Sequence, residues 1–368
     1  MTSTYAALAA ALVFASGAAI TGIAVSGIAI SEASAQTRSG SEGDGGTPRS
    51  IGETPDLSSR KIVERGPKAE DGEQRSLAQP SEEEFRQGFT TVVRSKDGSQ
   101  KTVEPSEELK TTIIRALKGG DTDAAAPKTG DDPIYDEAER TIVGEDDRVR
   151  ISDTTAYPFR TIGQLYSVDG DGNWSTCSAT LISSSAVLTA AHCVYDHETG
   201  GWLEDYEFYP ALNGRGRAPY GKFSWTDAYI LEGFITNWKG YYGSVVPWDL
   251  AVVMLDQPVG SNLGWMGYSV YDPAYAFTAN IVGYPGDMPD GTMWRASCDV
   301  DPDLADATNM DYECDTWPGS SGSSVYDYNP DTTERAIYGV NIASSPDINT
   351  GIRLNWAYFS WVAEHAGD

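Results

Sequence analysis

The run Val187-Leu-Thr-Ala-Ala-His192-Cys193 governs the reading of the whole chain. A short apolar strand ends in a tight turn that delivers an imidazole beside a cysteine. Downstream, Trp248-Asp249-Leu-Ala-Val-Val-Met-Leu255 places a carboxylate at the mouth of a strongly apolar strand. Further on, Pro318-Gly319-Ser320-Ser321-Gly322-Ser323 is a glycine-flanked serine turn. A serine becomes a nucleophile when a base takes its proton, and that base needs a carboxylate to fix its tautomer and stabilise the imidazolium. The three stretches supply these groups in the order His, Asp, Ser.

Elimination narrows the candidates. With three His in the chain, a base must be His192, His197 or His365. His197 lies in the polar loop Asp196-His-Glu-Thr-Gly-Gly and His365 close to the C-terminus, so both read as structural or solvent-exposed. Asp227 and Asp256 rival Asp249, but only Asp249 leads an apolar strand. Ser320 rivals Ser321, and the G-x-S-G register selects Ser321.

Outward from these stretches, Thr141 to Asn355 breaks into short runs such as Thr161–Val168, Ala179–Leu188, Leu250–Leu255 and Ile337–Ile342, bounded by Gly, Pro, Asn and Asp. That punctuation predicts an all-β barrel or sandwich. Trp356, Phe359 and Val362–Ala363 recur at helical intervals, so a terminal helix is expected over Trp356 to His365. Asp169-Gly-Asp-Gly-Asn173 begins like a calcium loop, but position six is Trp174 and position twelve Thr180. A hairpin turn is the simpler reading.

The N-terminal part is different. Tyr5 to Ile30 is uncharged and apolar, and Ala33-Ser34-Ala35 offers an A-x-A cleavage site, so residues 1–35 read as a signal peptide. No Lys or Arg precedes Arg38, and the apolar run approaches the ~20 residues that span a bilayer, which leaves an uncleaved anchor as the alternative. Residues 36–140 are expected to be a largely irregular prosegment or linker. Within it Leu109, Ile113, Ile114 and Leu117 suggest one short amphipathic helix, too little for an independent core.

Composition bounds the partners. The 26 Lys+Arg against 54 Asp+Glu give a net charge of −28, which repels nucleic acid and anionic lipid. Neither is expected as a partner, and the acidity reads as solubility. Cys177 with Cys193 and Cys298 with Cys314 form local pairs that suit two disulfides, although three pairings are possible and sequence does not choose. No C-x-x-C pair exists and His is scarce, so no metal and no cofactor are expected. Disulfides and leader together predict a secreted protein, extracellular or periplasmic.

The motifs T-A-A-H-C from Thr189, D-L-A-V-V-M-L from Asp249 and G-S-S-G-S from Gly319 resemble the trypsin-like serine proteases of the chymotrypsin fold. Their chain order separates them from subtilisins and α/β-hydrolases. The resemblance implies two six-stranded antiparallel β-barrels with a C-terminal helix over residues 141–368. It implies a serine endopeptidase acting on protein or peptide substrates through an acyl-enzyme, with His192, Asp249 and Ser321 as triad. The backbone amides of Gly319 and Ser321 would form the oxyanion hole. T-I-V-G-E-D-D-R-V-R-I-S from Thr141, Tyr157-Pro-Phe-Arg160 and Asp315-Thr-Trp-Pro-Gly-Ser-Ser-Gly-Ser resemble the bacterial glutamyl endopeptidases more closely, over about Thr141 to Trp361. Activation by cleavage between Arg140 and Thr141 is therefore expected, and the enzyme is expected to be a monomer.

Specificity is where the sequence departs from that branch. Thr316 matches the branch's Thr that helps bind a substrate glutamate, but Asn341 stands where a His is expected. Asn carries no positive charge, so a preference for Glu before the scissile bond stands beside other specificities. Asp315 lies six positions before Ser321, where trypsin keeps the Asp that selects Arg and Lys, so a basic preference is the alternative. Ser320 replaces the Asp with which trypsin's freed N-terminal amine pairs, which removes that switch. Ile342 to Ser344 are expected to pair with substrate backbone. Two further readings are an inhibitory prosegment that covers the cleft, and a non-catalytic binding protein on the same scaffold.

Overall fold

The computed structural model describes residues 37–43, 60–63, 80–117, 142–344 and 347–367. The expected signal peptide at 1–35 and the expected cut between Arg140 and Thr141 lie outside the described residues.

The architecture is two β-sheets. In the first, strands Asp205–Pro210, Ile162–Val168, Trp174–Leu181, Ala186–Thr189, Ala251–Leu255 and Trp225–Leu231 lie side by side in that order. In the second the order is Gly267–Ser269, Arg335–Ser344, Ser324–Tyr328, Phe277–Gly283, Trp294–Val300 and Val149–Arg150, while Asn349–Arg353 also flanks Arg335–Ser344 and pairs with Asn309–Tyr312. Strands that are apolar throughout are covered on both faces, as in Ala251–Leu255, where four of five residues are buried. The suspected hairpin turn is one. The Asp169 carboxylate accepts from the Asp171 and Asn173 amides at 2.9 and 2.8 Å, joining Ile162–Val168 to Trp174–Leu181. The terminal helix runs from Trp356 to His365, as expected, and Asn355 caps it by accepting from the Ala357 and Tyr358 amides.

Residues 80–117 contain the short helix expected around Leu109 to Leu117 and are otherwise more ordered than the expected largely irregular prosegment. Helix Glu82–Gly88 opens with a capping box between Ser81 and Glu84. Strands Thr91–Ser95 and Gln100–Val103 form a hairpin closed at Asp97-Gly98, and helix Glu107–Leu117 follows. The hairpin adds to the edge of Trp225–Leu231, with Thr91 opposite Leu231 and Ser95 opposite Asp227. Thr37–Arg38 likewise extends the second sheet beside Gly267–Ser269. With these additions the sheets have eight and nine strands; from residues 141–368 alone the first has the expected six and the second eight. The physical reason for the added order is that Phe85, Phe89, Leu109 and Ile113 cannot make a core alone, yet at 0–3% exposure they are buried in the main core. Each such burial contributes about 1.5–3 kcal/mol. Among the described residues no helix is long and apolar enough to cross a membrane.

Candidate active site

Strand Ala186–Thr189 runs into a single turn of 3-10 helix, Ala191–Cys193, which presents His192. The turn Val246–Trp248 presents Asp249 just before Ala251–Leu255, the strand that pairs with Ala186–Thr189. Neighbouring strands thus place base and acid side by side. The His192 Nδ1 lies 2.6 Å from Asp249 Oδ2, and the His192 backbone amide donates to Oδ1 at 2.8 Å. The Asp249 side chain is fully buried and the His192 ring nearly so. A carboxylate at that nitrogen fixes the proton on Nδ1 and leaves Nε2 as the basic lone pair. Nε2 is buried and has no hydrogen-bond partner among the described residues.

The serine turn packs onto the same strands. Gly319 has φ +101° and Gly322 φ +81°, conformations that favour glycine. A Cβ on Gly322 would come within 2.1 Å of Thr189 Oγ1 and 2.3 Å of the Ser178 carbonyl, so the turn sits directly on the strand that leads to His192. The Ser178 amide donates to the Ser321 carbonyl at 2.8 Å, and its hydroxyl donates to the Gly319 carbonyl at 2.9 Å. Ser321 is half-buried, and its hydroxyl makes no hydrogen bond to His192 or to any other described residue. The amides of Gly319 and Ser321 likewise donate to no acceptor among the described residues.

The residues expected to set specificity are occupied. Asn341, buried, donates from Nδ2 to the Ser320 carbonyl at 3.2 Å and accepts from the Tyr312 hydroxyl at 2.8 Å. It braces the backbone one residue before Ser321. The Thr316 hydroxyl donates to Asn349 Oδ1 at 2.7 Å. Asp315 accepts from the backbone amides of Val143 and Asp147 at 2.8 and 3.0 Å, so it anchors the segment that follows the expected cleavage site. Burial raises the Asp315 carboxyl above its ordinary range. Nearby, the Arg148 guanidinium is buried between Asp146 and Asp287. Ile342 to Ser344 lie past the last pair with Ser324–Tyr328, Val340 opposite Ser324, which leaves that side of the strand unpaired among the described residues.

The disulfides join Cys177 to Cys193 and Cys298 to Cys314. The first ties the residue after His192 to a neighbouring strand; the second ties Trp294–Val300 to the segment before the serine turn. Donor atoms of Cys177, His192 and Cys193 lie within 4.8 Å of one another, but both sulfurs are bonded and have no thiolate to offer a metal. His197 stacks on Trp238 at 4.2 Å between ring centroids and takes no part in the site.

One functional residue escaped the sequence. The Tyr242 hydroxyl donates to Asp249 Oδ2 and lies 3.1 Å from the Ile342 carbonyl. It links the buried acid to the strand with the unpaired edge. Asp249 lies only seven positions on, but the irregular turns between them carry no periodicity that predicts the contact, and Ile342 is a hundred positions away.

A trypsin family model matches residues 149–347, more than half of the chain. The chain belongs to the trypsin family. This trypsin-family chain is 33% identical over 159 residues to a glutamyl endopeptidase of Bacillus licheniformis, covering 43% of this chain and 46% of that protein. It is also 33% identical over 158 residues to a Bacillus subtilis (strain 168) protein named extracellular metalloprotease, covering 42% of this chain and 48% of that protein. The chain thus spans about half the length of the curated relatives it matches. A solved structure of a Glu endopeptidase in complex with MPD superposes with a TM-score of 0.53 at 26% identity, over 62% of this chain and 100% of that one. The fold is chymotrypsin-like.

Proposed function

We propose that this chain is a secreted serine endopeptidase in which Ser321 attacks the scissile carbonyl while His192 Nε2 takes its proton. Asp249 holds the imidazole in the required tautomer and stabilises the imidazolium. The amides of Gly319 and Ser321 receive the oxyanion; losing one such donor typically removes about 3–4 kcal/mol of transition-state stabilisation. The imidazolium gives the proton from Ser321 to the leaving amine as the C–N bond breaks, and water activated on the same imidazole then hydrolyses the acyl-enzyme and returns a proton to Ser321. The observation that carries the reading is the 2.6 Å contact from His192 Nδ1 to the fully buried Asp249, with Nε2 left unpartnered. Residues 342–344 lie past the last pair with Ser324–Tyr328, with the Ile342 carbonyl met by the Tyr242 hydroxyl, and a substrate backbone can add along them.

Residues 1–35 are read as a leader that is removed, 36–140 as a processed segment, and 141–368 as the protease domain, with activation by cleavage between Arg140 and Thr141. The Asp315 bonds to Val143 and Asp147 support that boundary, because they fix the chain just behind the cut. The described stretches of 36–140 make no hydrogen bond or ion pair to His192, Asp249 or Ser321, so they lend no support to an inhibitory role.

The finer specificity follows from the pocket's neutral groups. A preference for glutamate is supported by the resemblance to glutamyl endopeptidases, but Asn341 and Thr316 are already hydrogen-bonded and neither carries charge. With no charge at Asn341 or Thr316, the preference of Glu over Gln is expected to be modest. Arg or Lys selection by Asp315 is disfavoured by its two backbone partners. The test is hydrolysis of casein by the chain cut after Arg140, compared with Ser321→Ala. Equal rates sink the assignment, as does failure of an organophosphonate to label Ser321, the outcome for a binding protein on this scaffold. Cleavage-site mapping on a peptide library reads the residue before the scissile bond.

A further inference from the structure

Residues 80–117 do not behave as a detachable leader. Their strand Thr91–Ser95 covers the edge of Trp225–Leu231 in five-residue register, and the Glu232 amide donates to the Thr90 carbonyl at 2.7 Å. Without it that edge would present unpaired amides and carbonyls to water. Phe89 packs on Tyr358 with ring centroids 5.0 Å apart, and Phe85 on the same ring at 6.1 Å. The Arg115 guanidinium lies 3.7 Å from the centre of the Trp356 ring. Trp361 Nε1 donates to Thr91 Oγ1 at 2.9 Å, so the terminal helix has its polar as well as its apolar groups satisfied by this segment.

The contact also reaches the acid of the site. Tyr358, gripped by the two phenylalanines, donates its hydroxyl to the Pro247 carbonyl at 2.5 Å, two residues before Asp249. Gly88 lies flat against Trp248, the residue next to Asp249; a Cβ there would fall 2.1 Å from Trp248 Nε1. Trp248 is buried, with Gly88 on one contact and Gly233 on another. The segment therefore backs the turn Val246–Trp248 and leaves the serine turn untouched.

We propose that residues 80–117 are a permanent, noncovalently bound part of the working enzyme, retained after the chain is cut between Leu117 and Ile142, and that they buttress the turn presenting Asp249. Retention stands on the packing alone; the buttress half rests on the active-site reading above.

Retention is tested on the full chain with Ser321→Ala, to prevent self-digestion, and with a sequence-specific protease site replacing residues 135–140. After complete cutting, native gel filtration with intact-mass detection is expected to find the N-terminal fragment one-to-one with the body, and to separate them in denaturant. A fragment that leaves the body under native conditions overturns the proposal, whatever state the body is in. The buttress is tested with Ser321 intact. Gly88→Ala pushes on Trp248 while keeping both phenylalanines, so the fragment should stay bound while kcat falls several-fold with KM unchanged. Phe89→Ala, after cutting, should release the fragment and lower kcat at least tenfold. Loss of the fragment with kcat unchanged makes it a passenger and defeats the second half. If no variant or parent is active at all, the active-site reading fails instead, and the gel-filtration result still decides retention.

Discussion

Asp249 receives three hydrogen bonds through its carboxylate, from the His192 amide, His192 Nδ1 and the Tyr242 hydroxyl, whereas the Ser321 hydroxyl makes none among the described residues. The Ser321 turn is held instead through its backbone, by Ser178 under Gly319 and Ser321 and by Asn341 under Ser320. The difference follows from what each group must do. A carboxylate that orients a base works best when it cannot move, and its burial is tolerable because three donors meet it. A nucleophile must surrender its proton and swing onto a carbonyl in each turnover, so its side chain is left free while its peptide is fixed. One half of the site is locked by side chains and the other by main chain.

The sharpest way to break that comparison is to spoil the locked half without changing its shape. Asp249→Asn keeps the volume but offers an amide where His192 Nδ1 needs an acceptor. The imidazole is then held in the wrong tautomer, with Nε2 protonated. Casein hydrolysis should fall by on the order of 10⁴-fold with the fold intact by circular dichroism. A loss below about tenfold would mean that the 2.6 Å contact does not set the tautomer.

His365 supplies a control: a half-buried histidine that bonds to a hydroxyl rather than a carboxylate. Its Nε2 lies 2.9 Å from Thr91 Oγ1 and its ring stacks on Tyr229, so burial lowers its pKa from 6.5 to about 4. The folded state resists a proton that the unfolded chain accepts. Stability is therefore unaffected above about pH 6.5 and is lost as pH falls from there towards 4, by at most about 3 kcal/mol. Urea midpoints at pH 7.5 and 4.5 should differ less in His365→Gln than in the parent. An equal difference in both proteins would assign the acid sensitivity elsewhere.

The same contrast explains what was legible. His192, Asp249 and Ser321 each sit in a run whose neighbours are determined locally: an apolar strand before the base, another after the acid, glycines around the nucleophile. The terminal helix was legible because Asn355 and the spacing of Trp356, Phe359 and Val362 lie within one stretch. Asn341 and residues 80–117 owe their roles to partners in other segments of the chain, and Tyr242 to a contact with nearby Asp249 that only the folded turns create. Asn341 read as a missing pocket charge because its bond to the Ser320 carbonyl exists only once the strands are assembled. The hairpin Thr91–Val103 read as irregular because its partner strand begins at Trp225, and Phe85 and Phe89, which bury against Tyr358 of the terminal helix, carry little pattern of their own.

The smallest expected effect divides Tyr242's two bonds. Tyr242→Phe keeps the ring, which meets His192 edge-on at 5.9 Å, and deletes only the hydroxyl. Asp249 would retain both of its bonds from His192, so the acid stays paired but loses one charge-assisted donor, about 1.5–3 kcal/mol where that donor is fully buried. Because the tautomer is still fixed, the loss in rate should lie near tenfold, far below that of Asp249→Asn. The second bond, to the Ile342 carbonyl, belongs to the strand on which substrate would add. If Tyr242 acts through Asp249, kcat falls and KM holds. If it acts by positioning Ile342, KM rises while kcat holds. A variant in which neither moves would leave the hydroxyl as a packing feature, and the lock on Asp249 would then be the work of His192 alone.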